Sequence, residues 1–164
     1  MRFLADVMLK KAGRWMRMLG YDVEFPEGED DEVVLGQAER NGLVLLTMDE
    51  ELHARARRRG LRSFLVTTAR NARQVAQIMR EFGLTIGKFP SRTRCVACNG
   101  GLRKAGKEEV KGKVPAKSYA AHDEFWMCEK CGQVFWEGSH WGRIEKGVEE
   151  IRRELGRGKK AKSD

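Results

Sequence analysis

The sequence predicts an α/β protein, with a mainly parallel sheet, helices on both faces and a small cysteine-containing module at the C-terminal end. The first observation is a regular alternation of strand-length apolar runs with segments of helical periodicity in residues 1–90. The second is the continuous apolar run at residues 43–47 (LVLLT), because such runs are typical of strands buried on both faces. The third is a change of composition after residue 90, where cysteines, aromatic residues and lysines appear together.

Strands and helices are predicted to alternate throughout the first part of the chain. Residues 2–8 (RFLADVM) form the first strand, and apolar positions recur with helical spacing over residues 9–19, up to Gly20. The elements that follow are a strand at 21–25, a helix at 31–41, a strand at 43–47, a helix at 49–59, a strand at 63–67 and a helix at 69–82. Strands joined by helices in this order lie parallel in one sheet, and ligands bind beyond their carboxyl ends.

Three regions are expected along the chain. The α/β domain covers residues 1–90, and the cysteine-containing module covers residues 91–145. Residues 146–164 hold the end of a terminal helix, predicted over 143–155, and a basic tail from residue 156 that we expect to be disordered.

Charge is distributed unevenly between the two halves. The chain carries a net charge of +8, of which +2 falls in residues 1–90 and +6 in residues 91–164. A basic half indicates a polyanionic partner, RNA or DNA, while a solvated surface with a loose tail is the plainer alternative. No apolar stretch reaches 18 residues and no signal-peptide core is present, so we expect no membrane span and a cytoplasmic location.

Four cysteines form two Cys-x-x-Cys pairs: Cys95 with Cys98, and Cys128 with Cys131. In a reducing compartment such pairs bind metal more often than they form disulfides. Two pairs complete a tetrahedral Cys₄ set, which predicts a structural zinc ion with no open coordination position. A redox pair and an iron site are the alternatives.

Other residues of this module allow competing interpretations. His122 and His140 are candidate rival ligands, which we expect instead to lie outside the ligand set. His122 with Asp123 and Glu124 resembles an acid/base cluster. The aromatic residues near the second pair either stack on exposed bases or form the core of the module; they are Phe125, Trp126, Phe135, Trp136 and Trp141.

Acidic residues follow the predicted strand ends. Asp6 ends an apolar strand, where a carboxylate is costly without a partner or an ion. Together with Asp31 and Asp49 it could bind Mg²⁺ or Mn²⁺, with Asp30 or Glu51 in support, and such sites hydrolyse phosphodiesters. The alternative is helix capping, by Asp31 at its helix start and by a capping box over residues 47–50.

Taken together, these stretches resemble the PIN-like ribonucleases, and more narrowly the family of the Mut-seven C-terminal RNase domain, which carries a zinc ribbon at its end. The matching stretches are FLADVMLKKAGRWMRMLGYDV (3–23), DDEVVLGQA (30–38), LLTMDEEL (45–52), CVACNGGL (95–102), VPAKSY (114–119) and HDEFWMCEKCGQVFWEGSHW (122–141).

The resemblance implies a metal-dependent RNA endonuclease with Asp6, Asp31 and Asp49 as its acidic triad. Thr47 would orient the Asp49 carboxylate, and Glu51 stands where relatives have a fourth acid. The paired arginines of the family correspond to Arg14 and Arg17, which would contact the phosphate backbone of RNA.

Our primary expectation is therefore a magnesium- or manganese-dependent ribonuclease whose zinc ribbon holds RNA beside the acidic pocket. A non-catalytic RNA-binding adaptor is the alternative from a different class. A third interpretation is the toxin of a toxin–antitoxin pair, with an antitoxin-like partner. A homodimer is compatible with each of them.

Overall fold

The computed structural model describes residues 1–87, 89–90 and 92–160. The first part of the chain forms a four-stranded sheet with helices on both faces. Its elements are β1 (Arg2–Ala5), α1 (Lys10–Met18), β2 (Asp22–Glu24), α2 (Asp31–Asn41), β3 (Val44–Thr47), α3 (Glu50–Arg58), β4 (Ser63–Leu65) and α4 (Asn71–Glu81). The strand order is β2-β1-β3-β4 and every neighbouring pair is parallel. The predicted α/β class and parallel sheet are confirmed.

Side-chain alternation along the central strands creates a separate core on each face of the sheet. Phe3 of β1 and Leu46 of β3 are buried with α1 and α4. Leu4 and Leu45, their neighbours in sequence, are buried on the opposite face with α2 and α3. All four residues of β3 are buried, as its continuous apolar run predicts.

The first strand is shorter than the sequence predicts. It ends at Ala5, and Val7–Leu9 forms a 3₁₀ turn that leads directly into α1. The Asp6 carboxylate accepts a hydrogen bond from the Val7 amide, and the Asp6 carbonyl accepts one from Leu9. Because these bonds take the backbone out of the sheet, the expected strand over residues 2–8 is wrong beyond Ala5.

The cysteine-containing part forms a second, smaller sheet. Its elements are β5 (Leu102–Ala105), α5 (Lys107–Val110), α6 (Ala116–Ala121), β6 (Phe125–Cys128) and β7 (Val134–Phe135). The strands are antiparallel in the order β5-β6-β7. One face of this sheet has its own core, made by Ala105, Val110, Phe125, Met127 and Val134.

The last helix, α7 (Trp141–Lys160), returns to the first sheet and packs on α4. Ile151 is fully buried within the core that also contains α1 and α4, and Trp15 lies against Gly147. The helix is longer than the predicted 143–155, so the tail expected to be disordered is helical up to Lys160; residues 161–164 lie outside the described residues. No helix in the described part of the chain is long and apolar enough to cross a bilayer.

Candidate active site and metal centre

Asp6 lies at the carboxyl end of β1 and is only 7% exposed. Its Oδ1 accepts a hydrogen bond from the Val7 amide over 2.6 Å, and its Oδ2 accepts one from the Thr47 hydroxyl over 2.8 Å. Among the described residues no basic side chain forms an ion pair with it. The fold therefore buries an acidic group whose contacts are hydrogen bonds rather than a protein cation.

Thr47 connects the ends of two neighbouring strands. It is fully buried at the end of β3, and its hydroxyl also accepts a hydrogen bond from the Asp49 amide over 3.0 Å. The family resemblance implies that Thr47 orients the Asp49 carboxylate; in this structure its hydroxyl contacts the Asp6 carboxylate and the Asp49 backbone amide. The structure thereby links Asp6 to the start of α3.

Asp49 is exposed and caps α3 with its side chain. Its Oδ1 accepts a hydrogen bond from the Leu52 amide over 2.9 Å, so Asp49, rather than Thr47, is the N-cap residue of this helix. Glu51 lies exposed in the first turn of the same helix. Helix capping thus accounts for one carboxylate oxygen of Asp49. The other oxygen, Oδ2, makes no hydrogen bond within the described residues.

Asp31 is held by a basic residue that sequence reasoning did not identify. Its Oδ2 pairs with Nη1 of Arg55 over 2.5 Å, and the same guanidinium also contacts Glu32. Asp30 is the N-cap of α2 and accepts a hydrogen bond from the Glu32 amide. In the sequence, the run of arginines at residues 55–59 is the feature that could have indicated a basic partner for Asp31. The structure adds that α3 packs on the same face of the sheet as α2.

The three predicted carboxylates do not form one compact cluster. We searched the described residues for groups of three or more Asp, Glu, His or Cys side chains whose ligand atoms lie within 4.8 Å of one another. The four cysteines are the single group of this kind. The structure joins Asp6 to Asp49 through Thr47 and holds Asp31 on Arg55.

The two arginines expected to contact RNA differ in their surroundings. Arg14 is exposed on α1. Arg17 is 4% exposed, and its guanidinium donates to the carbonyls of Val23 (2.7 Å), Val96 (2.9 Å) and Ala97 (3.1 Å). A guanidinium enclosed in this way is occupied by protein carbonyls, so the predicted phosphate contact is available to Arg14 and not to Arg17 in this conformation.

The four cysteines converge as the two Cys-x-x-Cys pairs predict. The Sγ atoms of Cys95 and Cys131 are 3.7 Å apart, and those of Cys98 and Cys128 are 3.4 Å apart. Neither distance fits a disulfide, whose sulfurs are about 2.0 Å apart. Four sulfurs at about 2.3 Å from a tetrahedral zinc ion are separated by about 3.8 Å, so the residues present fit a Cys₄ zinc site.

Two opposing influences act on the Cys95 thiol. Burial raises the pKa of the Cys95 thiol to about 12, while hydrogen bonds from the amides of Cys98 and Ala97 act in the opposite direction. Metal ligation requires the thiolate form. These amides therefore favour the ionic form that the surrounding burial disfavours.

The remaining candidates of this module have other partners. Neither His122 nor His140 belongs to the cysteine cluster. Asp123 pairs with Lys107, which lowers the pKa of its carboxyl, and Glu124 pairs with Lys104. Asp123 and Glu124, which together with His122 resemble an acid/base cluster in the sequence, thus form exposed ion pairs with lysines.

The aromatic residues divide between the core and the surface. Phe125 and Trp136 pack together in the core of the small sheet, and Trp141 stacks on Phe89 with ring centroids 5.4 Å apart. Trp126 and Phe135 lie opposite each other on β6 and β7, are partly exposed and do not belong to that core.

Comparison with protein-family models identifies the family of this chain. The model described as Mut7-C RNAse domain matches residues 1–148, which include the parallel sheet and both cysteine pairs. The chain belongs to the Mut7-C RNAse domain family. Comparison with curated proteins and with solved structures found no significant match. The Mut7-C family is one of ribonuclease domains, in agreement with the resemblance seen in the sequence.

Proposed function

We propose that this Mut7-C chain is a ribonuclease that cleaves RNA by hydrolysis with Mg²⁺ or Mn²⁺ held by Asp6 and Asp49. The observation that carries the proposal is the Asp6 carboxylate, buried at the carboxyl end of a central parallel strand with no basic partner among the described residues. A buried charge of this kind is stable when a cation and hydrogen bonds compensate it. The family membership supplies the reaction class.

The donor set suits a magnesium-type ion. Carboxylate oxygens are the preferred ligands, and Mg²⁺ is commonly held by one or two carboxylates while keeping several waters. When bound, the ion would polarise a phosphate oxygen and lower the pKa of a bound water. Asp6 and Asp49 would hold it directly, with Thr47 fixing Asp6, and Asp31 would contribute through water or after leaving Arg55.

RNA would reach this edge of the sheet along α1. This helix begins four residues after Asp6, and Arg14 is exposed on it. An exposed guanidinium contributes to affinity by neutralising backbone phosphate, and the affinity should therefore fall steeply with salt.

The zinc ribbon would hold a second part of the RNA. Lys104, Trp126 and Phe135 lie side by side across β5, β6 and β7, and none of the three belongs to the ribbon core. A row of one exposed lysine and two partly exposed aromatic rings fits single-stranded RNA, because bases stack on the rings and the ammonium neutralises phosphate. The zinc ion would keep these strands in place.

The proposal is tested with the substitutions Asp6→Asn and Asp49→Asn. With single-stranded RNA and Mn²⁺, each should reduce cleavage by at least a hundredfold and weaken Mn²⁺ binding, while RNA binding by fluorescence anisotropy stays within about threefold. Glu39→Gln is the matched control, because Glu39 is an exposed acid on α2 and is not one of the candidate ligands. Unchanged cleavage in both variants would exclude the site, and RNA binding without any cleavage by the wild-type chain would favour the adaptor.

The contribution of the ribbon has a separate test. Trp126→Ala should weaken binding of single-stranded RNA by about tenfold, since stacking on one aromatic ring contributes roughly 1–3 kcal/mol. Zinc content and circular dichroism should not change, because Trp126 lies outside the ribbon core. RNA affinity equal to that of the wild type would remove the ribbon from the proposed binding surface.

A further inference from the structure

Arg17, a buried residue of α1, connects the first sheet with the zinc ribbon. Its Nε donates to Val23 on β2, and its Nη1 donates to Val96 and Ala97, which stand between the ligands Cys95 and Cys98. The guanidinium carbon also lies 4.1 Å from the ring centroid of Phe25. One side chain of α1 therefore touches both the edge strand of the sheet and the first cysteine loop.

The charge of Arg17 has no carboxylate partner among the described residues. Asp22 lies in the same contact region, but its oxygens are engaged by Asn99 (2.7 Å) and Arg94 (3.4 Å). Burying a cation without a negative partner is costly. Four thiolates around one divalent ion, in contrast, carry a net charge of about −2, and this centre lies beside the carbonyls that Arg17 binds.

The two peptide groups between the ligands connect Arg17 with sulfur. Their carbonyls, on Val96 and Ala97, accept hydrogen bonds from Arg17. Because both carbonyls belong to the loop that joins Cys95 to Cys98, Arg17 holds the backbone that places these two sulfurs.

We propose that Arg17 is a positioning residue of the zinc centre, which fixes the loop between Cys95 and Cys98 through the carbonyls of Val96 and Ala97 and balances the negative charge of the centre. The proposal rests on the zinc ion proposed above. It moves Arg17 from the expected RNA contact to metal binding and ties the ribbon to α1, the helix that follows Asp6.

The test compares zinc affinity in Arg17→Gln, Arg17→Lys and the matched control Arg14→Gln, each as the full chain. Arg17→Gln removes the charge and should weaken zinc binding by about tenfold or more, the usual range for residues that orient metal ligands. Arg17→Lys keeps the charge and should lose less. Arg14→Gln, on the exposed face of the same helix, should match the wild type in competition with a chromophoric chelator.

A second readout separates this role from packing. With Co²⁺ in place of zinc, the sulfur-to-metal charge-transfer band should shift in Arg17→Gln and remain unchanged in Arg14→Gln. Zinc affinity within twofold of the wild type in Arg17→Gln would overturn the proposal, as would equal destabilisation of the zinc-free and zinc-loaded chains. A wild-type chain that binds no zinc would refute the zinc site itself, which is a distinct result.

The wild-type chain provides a test that needs no substitution. The Nε–H proton of Arg17 should give a resolved, exchange-protected NMR signal in the zinc-loaded chain, and chelation should shift it or abolish its protection. The same signal with and without zinc would show that Arg17 acts independently of the metal.

Discussion

The hydroxyl of Thr47 donates a hydrogen bond to Oδ2 of Asp6 over 2.8 Å, although 41 positions separate the two residues in the chain. Thr47→Val keeps the shape of the side chain but leaves the buried Asp6 oxygen and the Asp49 amide without this partner. We expect a loss of about 1–3 kcal/mol in the free energy of unfolding, measured by urea denaturation. Mn²⁺ binding should weaken as well.

Thr47→Ser is the control for that change, because it retains the hydroxyl. It should keep the metal affinity of the wild type and lose only the small contribution of one buried methyl group. Equal metal binding by the Val and Ser variants would show that the Thr47 hydroxyl has no part in arranging Asp6.

Arg55 competes with a cation for Asp31, since its Nη1 lies 2.5 Å from Oδ2 of that carboxylate. If Asp31 contributes to the metal site, Arg55→Gln should raise the affinity for Mn²⁺ by about two- to fivefold, the equivalent of a partly exposed ion pair. Calorimetric titration measures this directly. Arg59→Gln is the matched control. Arg59, at the end of α3, pairs with Glu32, the neighbour of Asp31 in α2, and not with Asp31 itself. No change in Arg55→Gln would exclude Asp31 as a ligand.

Gly147 allows α7 to lie against Trp15. A Cβ at this position would clash with Cη2 of the indole ring, so Gly147→Ala should destabilise the chain by about 1–3 kcal/mol. Gly156→Ala, in the same helix with nothing within 4 Å of the added carbon, should instead stabilise it by about 0.5–1 kcal/mol. Thermal unfolding followed by circular dichroism distinguishes the two, and a stabilised Gly147→Ala variant would contradict the packing described.

Gly100 lies close to the four clustered cysteines. A Cβ there would come 2.7 Å from the Sγ of Cys128 and 3.3 Å from that of Cys98, so Gly100→Ala should weaken zinc binding severalfold. Gly106→Ala lies in the same ribbon with open space around the added carbon and should leave the zinc affinity unchanged. Metal analysis after dialysis against a weak chelator compares them, and equal zinc retention would argue against close packing at the sulfurs.

Local patterns were sufficient for the regular elements of the fold. The helix predicted over residues 31–41 is observed with those bounds, because an Asp30 cap starts it and the left-handed conformation of Gly42 ends it. The four-residue buried strand β3 likewise follows from its apolar run. The cysteine site was also predicted from local patterns, because two Cys-x-x-Cys pairs are enough to indicate a tetrahedral set of four ligands.

Contacts between distant segments could not be predicted in the same way. Arg17 binds a carbonyl 79 residues away, and Asp31 meets Arg55 from a different helix. Neither contact can be recognised from sequence periodicity or composition, because the sequence does not distinguish a buried arginine from an exposed one. The strand β5 was missed for a related reason: its residues LRKA carry too little apolar character to indicate a strand without the neighbouring β6.

The burial of Ile151 against α1 and α4 has a consequence for biosynthesis. A nascent chain that leaves the ribosome N-terminus first presents the parallel sheet early, yet one side of its core stays uncovered until the last helix emerges. A chain cut before residue 141 would lack α7 and leave this surface open to aggregation, whereas the chain of residues 1–164 covers it. Biochemical dissection of the two halves is therefore better done by substitution than by truncation.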